Sequence, residues 1–373
     1  VISETGAVDA GIATLTDKMK GREKIIIPVI MLIFSLGGSM LGLAEETLVF
    51  VPAIVPLAMA LGFDSLTGFA MVLVGAGAGF AGAYMNPFTV GIAQGIAELP
   101  PFSGLGFRFA VWLVTTGIAI GFVYRYASKI KENPKLSPVY EDDKEKEFNV
   151  DLEKFDKLES NHKRVLAVVV ITFLILIWGV TQKGWFITEL SALFLGMGIV
   201  VGLVGGLGTD GTANAFVKGA KGLTMAALIV GVARGILVVL SEGHVIDTIL
   251  HSMSIAIEGL PAYRSAVGMY VFQCLLNVIV PSGSGQAALT MPIMAPLSDL
   301  VGVTRQTAVL AYQLGDGFTN VFTPTSGYFM AGLGLAGISW KKYAKWFWPL
   351  LLMWFVSGVA FVIIAQLIKF GPF

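Results

Sequence analysis

The sequence predicts an all-α polytopic membrane protein built as an inverted repeat, with two re-entrant hairpins and two discontinuous helices. Three observations predict it. First, hydrophobic residues make up 55% of the 373 residues, charged residues 13%, and mean hydropathy is +0.78, whereas a soluble domain carries about 25% charged residues. Second, the charge is unevenly placed. Residues 125–164 hold 10 Lys/Arg and 10 Asp/Glu, leaving 30 charges for the other 333 residues. Zero net charge therefore averages a wet loop with an apolar body and says nothing of partners. Third, Val51–Phe63 and Met291–Val303 nearly coincide under an offset of 240 residues, which pairs Pro52 with Pro292, Pro56 with Pro296, Leu57 with Leu297 and Gly62 with Gly302. Upstream, Ser3, Glu4 and Asp9 parallel Ser241, Glu242 and Asp247; downstream, Gly79, Phe80 and Pro87 parallel Gly317, Phe318 and Pro324. A duplicated apolar unit broken by Pro and Gly is the sequence mark of secondary transporters built from internal repeats.

The expected order is a first repeat over 1–127, a charged cytoplasmic linker over 128–164 and a second repeat over 165–373. Val1 aligns with Val239, inside a membrane segment of the second repeat, so N-terminal helices are expected to be missing. An amphipathic arm, Ala7–Lys20, reads as lying along the interface. The first hairpin spans 24–61, from Lys24–Leu36 and Leu48–Leu61 around a tip at Gly37–Glu46. A helix over 66–97 is broken at Asn86-Pro87, because proline removes a donor and disfavours helix before it. The span 107–126 completes the first unit. In the second unit, Val165–Thr181, Trp185–Leu207 and Leu223–Leu240 are each about long enough to span the hydrocarbon. A second arm, His244–Glu258, precedes a hairpin over 263–301 with its tip at Pro281–Gln286. The broken helix over 307–337 is interrupted at Thr323-Pro324-Thr325, and 346–368 is the last span. Unwound backbone is tolerated at membrane depth only where it is buried or lines a cavity. Ordinary antiparallel spans with solvent turns are the plain alternative to the hairpins, but neither tip has a basic anchor beside it. With the Lys/Arg-rich span ends facing the cytoplasm, the two hairpins enter from opposite sides, as an inverted repeat demands. The expected location is a bacterial inner (plasma) membrane.

Ionisable residues inside a membrane are costly and are functional candidates by default. Glu45 and Glu46 open the second arm of the first hairpin, where capping of the following helix is the plain reading. Asp316 precedes the second break and shares a helix face with Asn320, with Thr323 and Thr325 around the break. A buried Asp bonded to a neighbouring half-helix is its plain reading. Asn86 and Thr89, with Gln94, follow the first break, and Ser282, Ser284 and Gln286 give the second tip neutral hydroxyl and amide groups. Arg234 sits mid-span and suits either a substrate carboxylate or a structural ion pair with Glu4, Glu242 or a tip glutamate. Arg108, Arg264, Arg305, Asp64 and Asp299 fall at segment ends, where snorkelling accounts for them. The glycines of Gly205–Gly211 read as a turn, with no strand before them to make a phosphate loop. A single cysteine, Cys274, excludes an intrachain disulfide and a Cys-based metal cluster. The three histidines are scattered, and neither a metal site nor a cofactor is expected; coupling to Na+ or H+ stays open.

Two or three cavity acids against one arginine favour a cationic ligand, because an unpaired buried charge is costly. Half-helix N-termini can hold a carboxylate through free backbone N–H groups, so a cationic amino acid meets both demands. A dicarboxylate fits only if sodium ions or protons neutralise the acids.

Phe34–Gly38, Gly42–Glu46, Asn86–Phe88, Val232–Gly235, Pro281–Gly285 and Gln313–Asp316 resemble the corresponding segments of YfcC-type carriers, over essentially the whole chain. That group stands with the DcuC-type C4-dicarboxylate carriers and, more distantly, the AbgT and divalent-anion:sodium symporters. The resemblance implies a two-domain elevator fold, dimeric through a scaffold domain, with hairpins and broken helices in the moving part. It includes arginine/ornithine exchangers, which agrees with the acidic tip, and it implies a homodimer in a lipid bilayer with no nucleic-acid partner. The expected activity is exchange of basic amino acids of the arginine, ornithine or lysine type. A sodium- or proton-coupled C4-dicarboxylate carrier is the alternative. An intramembrane aspartyl protease built on Leu314-Gly315-Asp316 lacks both the glycine it needs at Gln313 and a tyrosine-aspartate partner, and a channel suits the two-hairpin symmetry less well.

Overall fold

Long apolar runs punctuated by Gly, Pro and Asn become helices in the computed structural model, which describes residues 1–7, 10, 11, 14, 21–146, 158–183, 185, 187–245, 248, 251, 252, 255, 256 and 259–371. No strand occurs among the described residues. The first unit comprises α1 (Ile26–Leu41), α2 (Val51–Ala60), α3 (Ser65–Ala81), α4 (residues 87–96) and α5 (Leu105–Glu132). A short helix, α6 (Tyr140–Glu145), lies in the linker. Then come α7 (Ser160–Lys183), α8 (Ile187–Val204) and α9 (Gly208–Glu242). The second unit closes with α10 (Ala262–Asn277), α11 (Gly283–Leu300), α12 (Arg305–Asn320), α13 (Gly327–Leu335) and α14 (Trp340–Leu367).

The duplication reappears as matched punctuation. Gly62 and Gly302, 240 residues apart, both end an arm in the left-handed conformation, at φ 84° and 72°. Two residues on, Asp64 caps α3 by accepting from the Thr67 N–H at 2.8 Å, and Thr304 caps α12 by accepting from the Thr307 N–H at 3.2 Å. Such caps satisfy backbone donors that a helix start leaves open. Helices α4 and α13 also begin 240 residues apart, at Pro87 and Gly327, after breaks at 82–86 and 321–326.

Arms α1 and α2 both pack on α3 and hardly touch each other; α10 and α11 likewise both pack on α12. Helix α5 lies against α1, α3 and α14, and α3 meets α12 across the two units. Glycine makes these approaches close. A Cβ on Gly79 would sit 1.9 Å from the Ser35 carbonyl oxygen, and one on Gly38 would sit 2.2 Å from that of Ala76. This corrects the first tip. Gly37–Leu41 are helical, because Gly38 serves backbone contact rather than flexibility, and the tip starts at Gly42 (φ 67°).

Among the described residues, three helical stretches are long and apolar enough to cross a membrane: Glu23–Leu41, Leu105–Glu132 and Trp340–Leu367. Helix α9 runs 35 residues, well beyond the expected Leu223–Leu240, since no proline interrupts it. The linker is more than a solvated loop. Asp143 accepts from the Ser65 N–H (2.9 Å) and hydroxyl (2.6 Å) at the start of α3, and Asp142 pairs with Lys342 of α14 at 2.6 Å. Residues 147–157 and most of the two interfacial arms, Ala7–Lys20 and His244–Glu258, fall outside the described residues.

Candidate functional site

The second tip is built from amides. Gln273 and Asn277 lie one turn apart on α10, and Gln286 and Thr290 one turn apart on α11, so each pair shares a helix face. The faces meet. The Gln286 side-chain NH2 donates to the Gln273 side-chain oxygen at 2.6 Å, and Gln273 donates to the Thr290 hydroxyl at 3.0 Å. The Asn277 NH2 donates to the Gln286 oxygen (3.1 Å), to Oδ1 of Asp316 on α12 (2.8 Å) and to the Asn320 oxygen (3.3 Å). All six side chains are buried.

The network is rich in donors on one side and leaves acceptors open on the other. Asp316 Oδ2, Asn277 Oδ1 and the Thr89 hydroxyl are buried without a hydrogen-bond partner. They come from α12, α10 and the start of α4, just past the first break. Gly283, at the start of α11, lies between: a Cβ there would be 2.7 Å from Thr89 Cγ2, 3.0 Å from Phe80 and 3.3 Å from Asp316 Oδ2. Its carbonyl accepts from the Tyr312 hydroxyl at 2.6 Å, and Gln313 donates to the Phe80 carbonyl. The second tip, the two helix ends flanking the first break and a carboxylate thus meet at one point. No Lys, Arg or His forms an ion pair with Asp316 among the described residues. A buried carboxylate without a counter-charge is expensive, so this arrangement suits a bound cation or a proton.

The other predicted residues divide. Ser282 caps α11, its hydroxyl accepting from the Gly285 N–H at 3.3 Å, while Ser284 is half-buried beside it. Thr323 and Thr325 bond each other at 2.8 Å, and Thr325 donates to the Val278 carbonyl of the second tip at 2.7 Å. Asn86 is buried; its oxygen accepts from the Phe88 N–H at 2.9 Å and sits 2.7 Å from where a Gly42 Cβ would be. That contact docks the first tip on the first break. Among the described residues neither Glu45 nor Glu46 hydrogen-bonds to this cluster. Glu45 is exposed, and Glu46 is half-buried with its carboxylate accepting from the nearby Ala44 N–H at 3.1 Å. The reason is local: the chain leaves α1 through Gly42 into a tight turn, Glu45–Phe50, that directs Glu46 back on its own backbone. Tyr328 on α13 is within electrostatic reach of both Glu45 and Asp316. Arg234 lies on α9, and its side chain is outside the described residues.

Sequence reading missed Asn277, Gln273 and Thr290. Its one available signal was polar residues at i, i+4 flanking the second tip in otherwise apolar arms. It also misjudged two segment ends. Arg108 does not snorkel but is 1% exposed, bonding the Gln306 oxygen at 3.0 Å with the Phe370 ring 5.7 Å away. Asp64 is buried under Tyr126 and Ser137, both of which donate to it. Arg305 matches expectation, pairing with Asp299 and Glu98 at 2.8 and 2.9 Å at a helix end.

The family described as C4-dicarboxylate anaerobic carrier, DcuC, matches residues 1–367. The chain belongs to the DcuC family. Within it, the chain is 41% identical to an Escherichia coli (strain K12) protein named "Putative basic amino acid antiporter YfcC", over 99% of this chain and 75% of that protein. It is 35% identical to an uncharacterized Haemophilus influenzae protein, over 94% of this chain and 70% of that one. Among solved structures, the Alcanivorax borkumensis YdaH transporter shares the fold at TM-score 0.53 and 14% identity, covering 100% of this chain and 85% of that one. Neisseria gonorrhoeae MtrF, described as an antimetabolite efflux pump, does so at TM-score 0.51 and 18% identity, covering 98% and 79%. This DcuC-family chain is therefore a YfcC-type membrane transporter. The family and the Escherichia coli relative are named as a carrier and an antiporter, in keeping with a non-enzyme.

Proposed function

We propose that this chain exchanges basic amino acids of the arginine, ornithine and lysine type across a bacterial inner membrane. The observation that carries the reading is Asp316, a fully buried acid with one oxygen open toward Thr89 and Gly283. An ammonium or guanidinium group at Asp316 Oδ2 would take further contacts from the open oxygens of Asn277 and Thr89. The α-carboxylate would lie against the backbone N–H groups that start α11, with Arg234 as a further partner. An empty site keeps a buried charge uncompensated, so loading by cargo lowers the barrier to crossing and exchange becomes obligatory. The name of the Escherichia coli relative supports this reading.

In this proposal residues 24–61 and 263–301 are re-entrant hairpins. The hairpins and broken helices move as an elevator, and scaffold helices hold a homodimer. The matched arms, caps and breaks support that layout. The second reading is a C4-dicarboxylate carrier in which Na+ or H+ neutralises Asp316, and the family description favours it. Counterflow in proteoliposomes separates the two. Radiolabelled arginine accumulating only against internal ornithine is the expected result. Succinate uptake driven by a sodium or proton gradient, with no arginine counterflow, would reverse the ranking.

A further inference from the structure

We propose that the groove between α5 and α14 is a binding site for an anionic phospholipid. The groove has a volume of about 780 Å³ and runs along the outer face of α5 from Val114 to Lys129. At the rise of an α-helix the 15 steps between them cover about 22 Å, the reach of an acyl chain with its headgroup.

Its two ends differ in chemistry. At one end Arg125 and Lys129, one turn apart, are both exposed and line the groove. Neither forms an ion pair among the described residues, whereas Lys131 and Lys24 close by pair with Glu23 and Glu132. The charge at this end is left for a partner from outside. Beside it stands Trp346, whose indole N–H is buried without an acceptor although its ring is packed by Phe122 and Tyr126 at 5.1 and 5.2 Å. At the other end the floor is Gly117 and Gly121, where an added Cβ would meet nothing within 4 Å. These glycines keep a channel open, unlike those of α1 and α3. Basic headgroup contacts, then an amphipathic aromatic, then an apolar track is the order of a phospholipid read from phosphate to chain. A second copy of this chain is the poorer occupant. The start of α14 adds exposed Lys341 and Lys345 to the same end, so self-docking of like faces would oppose cation to cation.

The test is native mass spectrometry of the full chain reconstituted from vesicles containing equal phosphatidylglycerol and phosphatidylcholine. The protein should retain phosphatidylglycerol over phosphatidylcholine, and Arg125→Ala with Lys129→Ala should cut that retention by roughly 30-fold, at about 1 kcal/mol per basic residue. Gly117→Trp, which fills the channel while leaving both charges, should also lose the lipid. Gly106→Trp, equally unhindered but outside the groove, should keep it. Retention unchanged by the double substitution, or equal retention of the two lipids, would overturn the proposal. So would Gly117→Cys yielding disulfide-linked dimers in place of bound lipid.

Discussion

The two hairpin tips make an instructive pair. The first carries two formal charges, yet its Glu46 is spent on a neighbouring N–H and its Glu45 is exposed. The second carries no charge in Ser282–Gln286, yet it closes over a carboxylate supplied by α12 and over open oxygens from two other segments. Charge written into a tip and charge delivered to a site are different things. A neutral amide tip can be buried at modest cost because each amide finds a partner, and only such a tip can roof a lone acid.

Four experiments sharpen or break that contrast. Asp316→Asn keeps the shape and removes the charge, and should lower arginine counterflow at least 100-fold, in line with loss of one partner of a buried charge pair. Near-normal counterflow in that variant would shift the site away from the second tip. Gly283→Ala puts a methyl 2.7 Å from Thr89 and 3.0 Å from Phe80, and should weaken substrate affinity by about tenfold through overpacking. An unchanged affinity would mean that the cargo sits elsewhere. Asn277→Ala strands the Gln286, Asp316 and Asn320 oxygens and should destabilise the folded protein by about 1–3 kcal/mol, read as an earlier melting transition in detergent. Glu45→Gln and Glu46→Gln should change counterflow by no more than about threefold, the scale of an exposed charge or a single local cap. If either glutamate variant fell as far as Asp316→Asn, the first tip would regain the role that its composition suggests.

Much of the architecture was legible because it is punctuated. Gly62 with Gly302 marks the arm ends, and Pro87 and Pro324 fall at the helix breaks, so these were legible in the sequence, whereas the caps at Asp64 and Thr304 were not. Glycine inside α1 was misread, since a residue without a side chain signals a turn and a close helix crossing equally well. Asp316, Asn320 and Gln286 were legible as polar residues in apolar surroundings. Asn277 was not, because one amide in an apolar arm carries no charge, and its importance lies in bonding three side chains on two other helices at once. Arg108 shows the converse: a helix-end position invites a snorkelling reading, and only packing by Gln306 and Phe370 reveals a buried guanidinium.

The glycine contact between the two units bears on how the molecule can move. On α12, Gly317 lies so near α3 that a Cβ would be 2.3 Å from Ala81 Cα, and Gly77 of α3 meets Val321 as tightly, at 2.5 Å. Sliding these helices past one another would drive backbone into backbone, and parting them would open a slot beside Asp316. On the proposed reading, a cycle that leaves the acid sheltered carries α3 and α12 together, as a single piston whose cargo pocket is cut across its own seam.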